Sequence, residues 1–327
     1  MSAKKIIVFT GLVIFALFIV GFFTGAIGSA FLGDPEAGLL SKPKVHLPPQ
    51  PVLPDAAREH FIEYEEGHAS SPFASKSAFV LTNTLLSSWI TTLVLIFIFL
   101  IGVFRLKLVP GRIQGFIELM VESILSAIES VIGKEHGRKF FPFIATLFLF
   151  VLCNAWIGLL PIYPALGWEN HGHVEVHLLR PSGTDVNMPL ALALLSFIYV
   201  EFWGLKILGI SYISKFIRID SLKKGTIALF RGKLMDAFQY YLDFFFIGPL
   251  ESFSELTRIL SFTFRLFGNM TAGEILVLVS AFLVSFVATV LVYGLELLVG
   301  FIQALIFAGL TLVFASMAIT PHSEEDH

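Results

Sequence analysis

The stretch ESFSELTRILSFTFRLFGNMTAGE, residues 251–274, decides the fold because it places Arg265 inside a long apolar segment. An arginine near the middle of a membrane helix costs about 2.5–3.5 kcal/mol on insertion scales, so it usually faces a protein interior or a wet cavity. At about 100° per residue, other polar residues of the stretch fall within about 40° of Arg265 on a helical wheel. They form one polar stripe on an apolar helix, which makes Arg265 a functional candidate: Glu251, Ser254, Arg258, Ser261 and Asn269.

Composition sets the class of protein in which this stretch lies. Hydrophobic residues make up 56% of the 327 residues, whereas charged residues make up only 14%. Several apolar runs are long enough to cross a bilayer, and such a chain would aggregate in water, which excludes a soluble domain. The single cysteine excludes an intrachain disulfide and a cysteine-ligated metal site. The sequence therefore predicts an all-α, polytopic membrane protein.

The apolar runs predict about six membrane spans and divide the chain into four regions. Residues 1–33 are apolar after two lysines and are interpreted either as a retained transmembrane helix or as a cleaved signal. Residues 34–78 are rich in proline and acidic residues, which predicts an extracytoplasmic segment. Residues 79–319 form the membrane core, and residues 320–327 form a solvated tail.

The membrane core is expected to end in two long antiparallel helices. Pro249 is expected in the first turn of the former helix, where proline is tolerated, and the turn between the two is placed near 281–290. Between residues 113 and 132, apolar residues recur every three or four positions while glutamates interrupt them, which predicts an amphipathic helix in the membrane interface. Three spans are expected before the C-terminal pair: 79–104, 140–160 and 187–210.

Lysine and arginine are distributed unevenly about the predicted spans. Of the 22 basic residues, fifteen lie on one side and five on the side that holds 34–78 and 161–186, while the remaining two lie within a span. By the positive-inside rule the basic side is cytoplasmic, which places both termini in the cytoplasm if residues 1–33 are retained. Glu251 then lies near the cytoplasmic face, and Glu274 lies in the outer half of the membrane.

Antiparallel alignment of the last two helices predicts which polar residues meet. Arg265 and Glu274 are separated by about 13.5 Å along one helix, and Gln303 and Glu296 by about 10.5 Å along the other, at about 1.5 Å per residue. Gln303 is therefore expected level with Arg265, and Glu296 near Glu274. Two carboxylates facing each other in the outer half of the membrane could hand protons inward.

The inner half of the stripe predicts a second polar route. Glu251, with Ser254 and Ser261, could lead to the cytoplasm, so that Arg265 stands between two half-paths. A fixed cation at that point would stop protons from passing straight through. A complete mechanism then needs a proton carrier, and no residue of this chain is suited to that task.

Several further polar residues admit two interpretations each. Asp185 and Asn187 stand at the mouth of a predicted span, where they could line a polar inlet or cap a helix. Glu201, inside the same span, could line a path or pair locally. Arg258 could serve a channel or form an ordinary ion pair with Glu255, three residues before it.

The tract HGHVEVH at 171–177 contains metal-ligating residue types in a predicted loop. Its alternating spacing is weak evidence for a zinc site, and solvated side chains are the alternative.

Motifs in the two C-terminal helices closely resemble the signature of subunit a of the F-type ATP synthase. The resemblance covers residues 79–319 and rests first on the two C-terminal helices. Further landmarks occur in the same order as in the family. The motifs are RLFGNM at 265–270, AGE at 272–274 and GFIQALIF at 300–307, preceded by PG at 110–111 with Gln114, PFIAT at 142–146, GLLP at 158–161, PS at 181–182 and DVN at 185–187.

The resemblance implies roles for the polar residues. Arg265 would be the stator arginine that faces the carboxylates of the rotating ring of c subunits, and the ring would be the missing proton carrier. Family members often carry a histidine opposite the glutamate of the outer pair, whereas this chain has two glutamates. The implied outer half-channel contains Glu274, Glu296 and Gln303, and the implied inner region contains Glu251, Ser254, Ser261 and Asn269.

The resemblance also implies a function and a set of partners. The chain would be the proton-translocating stator subunit of a rotary ATP synthase in a bacterial inner membrane, and it would not be catalytic by itself. Its partners would be the c ring, b-type peripheral stalk subunits, other synthase subunits and membrane lipid, with no cofactor, metal or nucleic acid. Because the ion-selecting site would lie on the c subunit, both H⁺ and Na⁺ stay open.

Two other classes of function agree less well with the sequence than a proton-translocating stator subunit. A secondary transporter with a buried arginine–glutamate site predicts internal repeats and broken helices in corresponding halves, and neither is visible in the sequence. A membrane enzyme predicts a metal or nucleophile motif, and the HExxH and GxSxG patterns are both absent from the sequence.

Overall fold

The computed structural model of the protein describes residues 3–24, 49–50, 52, 81–104, 107, 109–160, 166–170, 173–209, 212, 219–284 and 287–320. Most of the predicted outer segment 34–78, residues 25–33 of the N-terminal region and the tail after Thr320 lie outside these residues.

The described residues are mainly helical, which confirms the predicted all-α class. A short antiparallel hairpin is the one addition to that prediction within them, and it joins β1, Gly167–Asn170, to β2, His173–His177. The helices are α1 Ala3–Thr24, α2 Asn83–Val103, α3 Arg112–Ile132, α4 Lys134–Gly158, α5 Asn187–Leu208, α6 Ile219–Phe230, α7 Leu234–Leu242, α8 Gly248–Leu283 and α9 Val287–Ile319.

Five helical runs within the described residues are long and apolar enough to cross a membrane. Helix α1 contains a shorter apolar run, Val8–Phe22. Five of the roughly six expected spans are therefore long enough to cross a membrane. Many large apolar side chains on these helices face outward, as is typical of a lipid-facing surface. The five runs are Asn83–Val103, Lys134–Gly158, Asn187–Leu208, Leu234–Leu283 and Thr289–Ile319.

Helix α3 matches the predicted amphipathic helix in position and is not among these spanning runs. Ile113 and Phe116 are exposed, whereas Ile117 and Ile128 are buried. A helix with both buried and exposed apolar side chains, interrupted by glutamates, suits the membrane interface.

The long helix of the opening stretch begins earlier than its proline suggested. Pro249 lies in the first turn of α8, as expected, but a π-helical turn at Asp243–Ile247 joins α8 to α7. In this turn the Gly248 N–H donates to the Asp243 carbonyl, five residues back. Pro249 has no N–H to donate, and the wider turn before it keeps the helical run continuous. The turn between α8 and α9 falls between Leu283 and Val287, as predicted.

The chain divides into two compact units. The first unit comprises Met1–Leu100, Leu149–Asp185 and Leu266–Ala304, and the second comprises Ile101–Phe148, Val186–Arg265 and Leu305–His327. Four helices contribute residues to both units: α2, α4, α8 and α9.

The second unit is built on an aromatic and small-residue core. Phe140 packs on Trp203 with ring centroids 4.9 Å apart, and Phe143 stacks on Tyr199 at 3.8 Å. Small residues of α9 let that helix approach this cluster closely. The buried core consists of Ile128, Phe140, Ile144, Val200, Tyr212, Ala308, Leu312, Ala315 and Ala318.

The first unit is held by close helix contacts and by hydrogen bonds. A Cβ atom at Gly300 on α9 would lie 2.9 Å from the Cβ of Ala155 on α4, so glycine is required for this approach. Next to it, Trp156 Nε1 donates to the Leu297 carbonyl at 3.0 Å. These contacts fix the part of α9 that carries Glu296 and Gln303.

Candidate functional site

Helix α8 supplies most of the candidate residues and contributes to both units. Its residues 248–265, including Glu251 and Arg265, belong to the second unit, and its residues 266–283, including Asn269 and Glu274, belong to the first. The site is therefore described unit by unit.

In the first unit, Glu274 is bound by an arginine that the sequence did not suggest as a site residue. Arg180 Nη2 donates to Glu274 Oε2 at 2.8 Å, and Arg180 Nε lies 3.2 Å from both carboxylate oxygens. The Arg180 side chain is 7% exposed and the Glu274 side chain 22% exposed. This is a buried, multiply hydrogen-bonded ion pair of the stronger kind.

Glu296 on α9 lies beside the same part of α8, as antiparallel alignment predicted. Its carboxylate packs against Gly273, and a Cβ atom at that position would overlap it. Within the described residues of the first unit, no hydrogen bond or ion pair engages this carboxylate. The two glutamates therefore differ, because Glu274 binds Arg180 while Glu296 occupies space left by a glycine.

Gln303 and Asn269 are joined directly. Asn269 Nδ2 donates to Gln303 Oε1 at 2.6 Å, and Gln303 is buried. Asn269 was assigned to the inner region by resemblance, whereas this bond groups it with Gln303 of the implied outer region. The difference arises because the amide reaches across to α9, which a single-helix wheel does not represent.

In the second unit, Arg265 has no carboxylate partner among the described residues. Its guanidinium donates to Ser261 Oγ at 3.4 Å, one turn earlier on α8. Ser261 is exposed and Arg265 is partly exposed. The side chain thus lies along the surface of its own helix.

The remaining inner residues lie toward the start of α8. Glu251 is the acidic residue in the first turn of α8. Ser254 is exposed, and its carbonyl accepts a hydrogen bond from Thr257 Oγ1 at 2.8 Å. These side chains share the exposed side of the stripe with Ser261.

Arg258 belongs to the same stripe but is buried in an ion-pair cluster. It pairs with Glu255 on its own helix and lies 3.8 Å from Glu201 Oε1 on α5. The Phe314 ring packs 4.3 Å from its guanidinium carbon. Glu201 therefore pairs locally, and Arg258 forms the ordinary pair with Glu255 that was one of its two interpretations.

Tyr212 completes this cluster. Its hydroxyl donates to Glu201 Oε1 at 3.2 Å. Burial, together with the neighbouring Glu201 charge, raises the pKa of the Tyr212 phenol, so it keeps its proton and acts as the donor.

The two residues at the predicted inlet have different surroundings. Thr84 Oγ1 donates to Asp185 Oδ2 at 3.0 Å, within the first unit. Asn187 is exposed and is the first residue of α5, and Val186 before it supplies no side-chain cap. Val186 is the N-cap of α5, so neither Asp185 nor Asn187 has the capping role that was the alternative to lining an inlet.

Residues 173–177 of the histidine tract form strand β2 of the hairpin. The backbone of β2 pairs with β1 from Gly167↔His177 to Asn170↔His173. The His177 N–H donates to Gln50 Oε1 at 3.3 Å, and its carbonyl accepts from Asn83 Nδ2 at 3.3 Å. The side chains of residues 171–176 lie outside the described part of the chain.

Comparison with known proteins decides the family. The family model described as ATP synthase A chain matches residues 85–316, which are most of the chain and include every candidate site residue. The chain belongs to the ATP synthase A chain family. A curated relative, ATP synthase subunit a of Gloeobacter violaceus, is 31% identical over 245 residues, which span 75% of this chain and 86% of the relative.

Membership of the ATP synthase A chain family confirms the resemblance noted in the sequence. Together with the five apolar helical runs, it makes this chain a multi-pass membrane subunit of ATP synthase involved in ion transport.

Arg180 is the residue that sequence reasoning missed. It had been counted only among the basic residues outside the spans, and its partner Glu274 lies 94 positions away. One signal was available, since Arg180 directly precedes the PS landmark at 181–182.

Proposed function

We propose that this chain is the proton-translocating stator subunit of a rotary F-type ATP synthase, with two offset half-channels separated by Arg265 at the interface with the c ring. The observation that carries the proposal is the environment of Arg265. A cation on a spanning helix that is partly exposed, with only a serine hydroxyl as partner in its unit, needs a counter-charge from another chain. A ring of carboxylates that moves past it would supply one.

The outer half-channel consists of the polar side chains collected in the first unit. Asn269 and Gln303 form a hydrogen-bonded pair, and Glu274 and Glu296 lie on facing stretches of α8 and α9. Asp185 extends this polar path on the loop side of the first unit. Asn187, two positions later in the DVN motif, is proposed for proton translocation from the sequence motif alone. Carboxylates and amides of this kind in a membrane interior typically mark an ion path.

The inner half-channel consists of the part of the polar stripe on α8 that precedes Arg265, from Glu251 through Ser254 to Ser261. Arg265 follows these residues and acts as the barrier. A guanidinium does not give up its proton in proteins, so it cannot relay a proton between the half-channels. Protons then pass only on the carboxylates of the ring, which couples their flow to rotation and to ATP synthesis.

The partners are accordingly the c ring, b-type peripheral stalk subunits, the other synthase subunits and membrane lipid. The chain lies in a bacterial inner membrane with its basic side, and both termini if residues 1–33 are retained, in the cytoplasm. The chain moves ions and performs no catalysis itself.

The test is ATP synthesis by the complete synthase in reconstituted vesicles, driven by a pH gradient without Na⁺. We expect Arg265→Ala to abolish synthesis while the subunit stays inserted and assembled. Arg138→Ala is the matched control, because this arginine is 81% exposed and lies on α4 away from the stripe. Synthesis at the wild-type rate by Arg265→Ala would refute the proposal.

A further inference from the structure

We propose that Arg180 is a positioning residue of the outer half-channel, which holds Glu274 in an ion pair and leaves Glu296 as the acid of this pair that exchanges protons. The inference rests on the proposed function and divides the roles of two glutamates that the sequence treats alike. Every contact that carries it lies within the first unit.

The first argument is charge balance. A guanidinium that is 7% exposed requires a counter-charge, and Glu274 supplies it through contacts of 2.8 and 3.2 Å. A proton could be transferred to Glu274 only by breaking these contacts with the guanidinium, which makes Glu274 unsuited to repeated proton exchange.

The second argument is the rigidity of the loop that carries Arg180. The Arg180 N–H donates to Ser87 Oγ on α2 at 3.1 Å, and Ser182 Oγ donates to Asn154 Oδ1 on α4 at 2.6 Å. Farther along, Asp185 accepts from Thr84 Oγ1 at 3.0 Å. Ser182, Gly183 and Thr184 are buried between these anchors.

Close packing also holds this loop against α4 and α8. A Cβ atom at Gly158 would lie 2.8 Å from Pro181 Cβ, and one at Gly183 would lie 2.7 Å from Met270 Cγ. The loop therefore has little room to withdraw, and the arginine is presented to Glu274 in a fixed position. A pre-organised partner of this kind orients the group that it binds.

The third argument is the contrast with Glu296. Gly273 leaves room for its carboxylate, and within the described residues of this unit no cation or hydrogen-bond donor holds it. The remaining titratable side chains on the described parts of α4, the loop and α9 in this unit are Cys153, Asp185 and Tyr293, and β2 adds His177. Asp185 is engaged by Thr84, which leaves Glu296 as the acid placed to exchange protons.

The experiment uses the complete synthase in vesicles and measures ATP synthesis per assembled enzyme against the pH on the proton-entry side. We expect Arg180→Gln to lower synthesis at least about tenfold, because it leaves the half-buried Glu274 carboxylate without its guanidinium partner. Its pH profile should also change shape, since Glu274 then becomes a second exchanging acid. A merely structural pair would lower the amount of assembled synthase and leave the profile of the assembled enzyme unaltered.

Two further variants keep the test decisive if Arg180→Gln assembles poorly. The double variant Arg180→Gln/Glu274→Gln removes both charges and should exceed Arg180→Gln in synthesis at least about threefold, with a pH profile of the native shape. Glu296→Gln should slow proton uptake and flatten the profile across about pH 6–9 even with Arg180 present. Arg180→Lys should retain part of the activity, because it keeps the charge and loses the bidentate contact.

Two results would overturn the inference: a double variant no better than Arg180→Gln, or a double variant whose profile is flattened like that of Glu296→Gln. The Arg265→Ala variant, measured in the same vesicles, separates this failure from failure of the proposed function. If Arg265→Ala is inactive and the double variant does not recover, only the role of Arg180 is refuted. If Arg265→Ala synthesises ATP, the proposed function itself fails.

Discussion

Arg258 and Arg265 lie two turns apart on the same face of α8, about 10.5 Å along the helix, yet their surroundings differ completely. Arg258 pairs with Glu255, lies 3.8 Å from Glu201 and packs on Phe314. Arg265 is partly exposed and donates one hydrogen bond, to Ser261. Helical phase is the same for both, so the supply of carboxylates from neighbouring elements makes the difference.

The comparison teaches how to interpret a charge in a membrane helix. Arg258 is satisfied inside the chain, and its role is to join α8 to α5 in the second unit. Arg265 is not so satisfied within the described part of that unit, and this leaves it available to a partner chain. Loss of Arg258 should therefore mainly lower stability, whereas loss of Arg265 should mainly lower function.

The largest expected effect on stability comes from Arg258→Ala. This change leaves Glu255 and Glu201 buried without their cation, and breaking such a pair costs about 3–5 kcal/mol. We expect little assembled subunit, measured as the amount of this chain retained in the purified synthase and by its thermal unfolding in detergent. Arg265→Ala, in contrast, should retain normal amounts of inactive enzyme. Equal losses of assembled subunit for both variants would break the comparison.

A smaller effect is expected from Tyr212→Phe, which sharpens the role of the Arg258 cluster. It removes the hydroxyl that donates to Glu201 at 3.2 Å, and a buried hydrogen bond to a charged group contributes about 1.5–3 kcal/mol. The measurement is the shift in thermal unfolding of the membrane sector. Tyr240→Phe is the control, because its hydroxyl forms no hydrogen bond within the described residues. Identical shifts for the two variants would show that Tyr212 does not support the cluster.

The smallest expected effect concerns Asn269 and Gln303, one turn beyond Arg265. Their 2.6 Å hydrogen bond should give a coupling of about 0.6–1.7 kcal/mol in a double-mutant cycle of Asn269→Leu and Gln303→Leu. The free energies come from thermal or denaturant unfolding of the sector in detergent. Additive losses would place the two side chains apart in the assembled enzyme.

Much of the fold follows from local patterns in the sequence. The spans α2, α4 and α5, the amphipathic α3 and the turn between α8 and α9 lie close to where apolar runs and periodicity place them. These features depend on residues three to twenty positions apart, which the sequence displays directly. The π-helical turn before Pro249 and the β-hairpin were not predicted, because both depend on backbone geometry that residue types do not specify.

The sequence indicated most of the candidate site residues, but fewer of the hydrogen bonds and ion pairs between them. Antiparallel alignment correctly brought Glu296 beside α8 next to Glu274. The contacts of Glu274 with Arg180 and of Arg258 with Glu201 could not be derived, since Arg180 lies 94 positions from Glu274 and Glu201 lies on a different helix from Arg258. Such contacts depend on how loops and helices fold back, and a helical wheel contains no information about them.

The central claim is that Arg265 is the cation left for a partner chain. The measurement that tests it most directly is an experimental structure of the assembled membrane sector, resolved well enough to place the Arg265 guanidinium. We predict a carboxylate of the c ring within about 6 Å of the Arg265 guanidinium, close enough for the cation to stabilise the ionised carboxylate. An Arg265 that pairs with a carboxylate of its own chain, or that faces lipid away from the ring, would contradict the account.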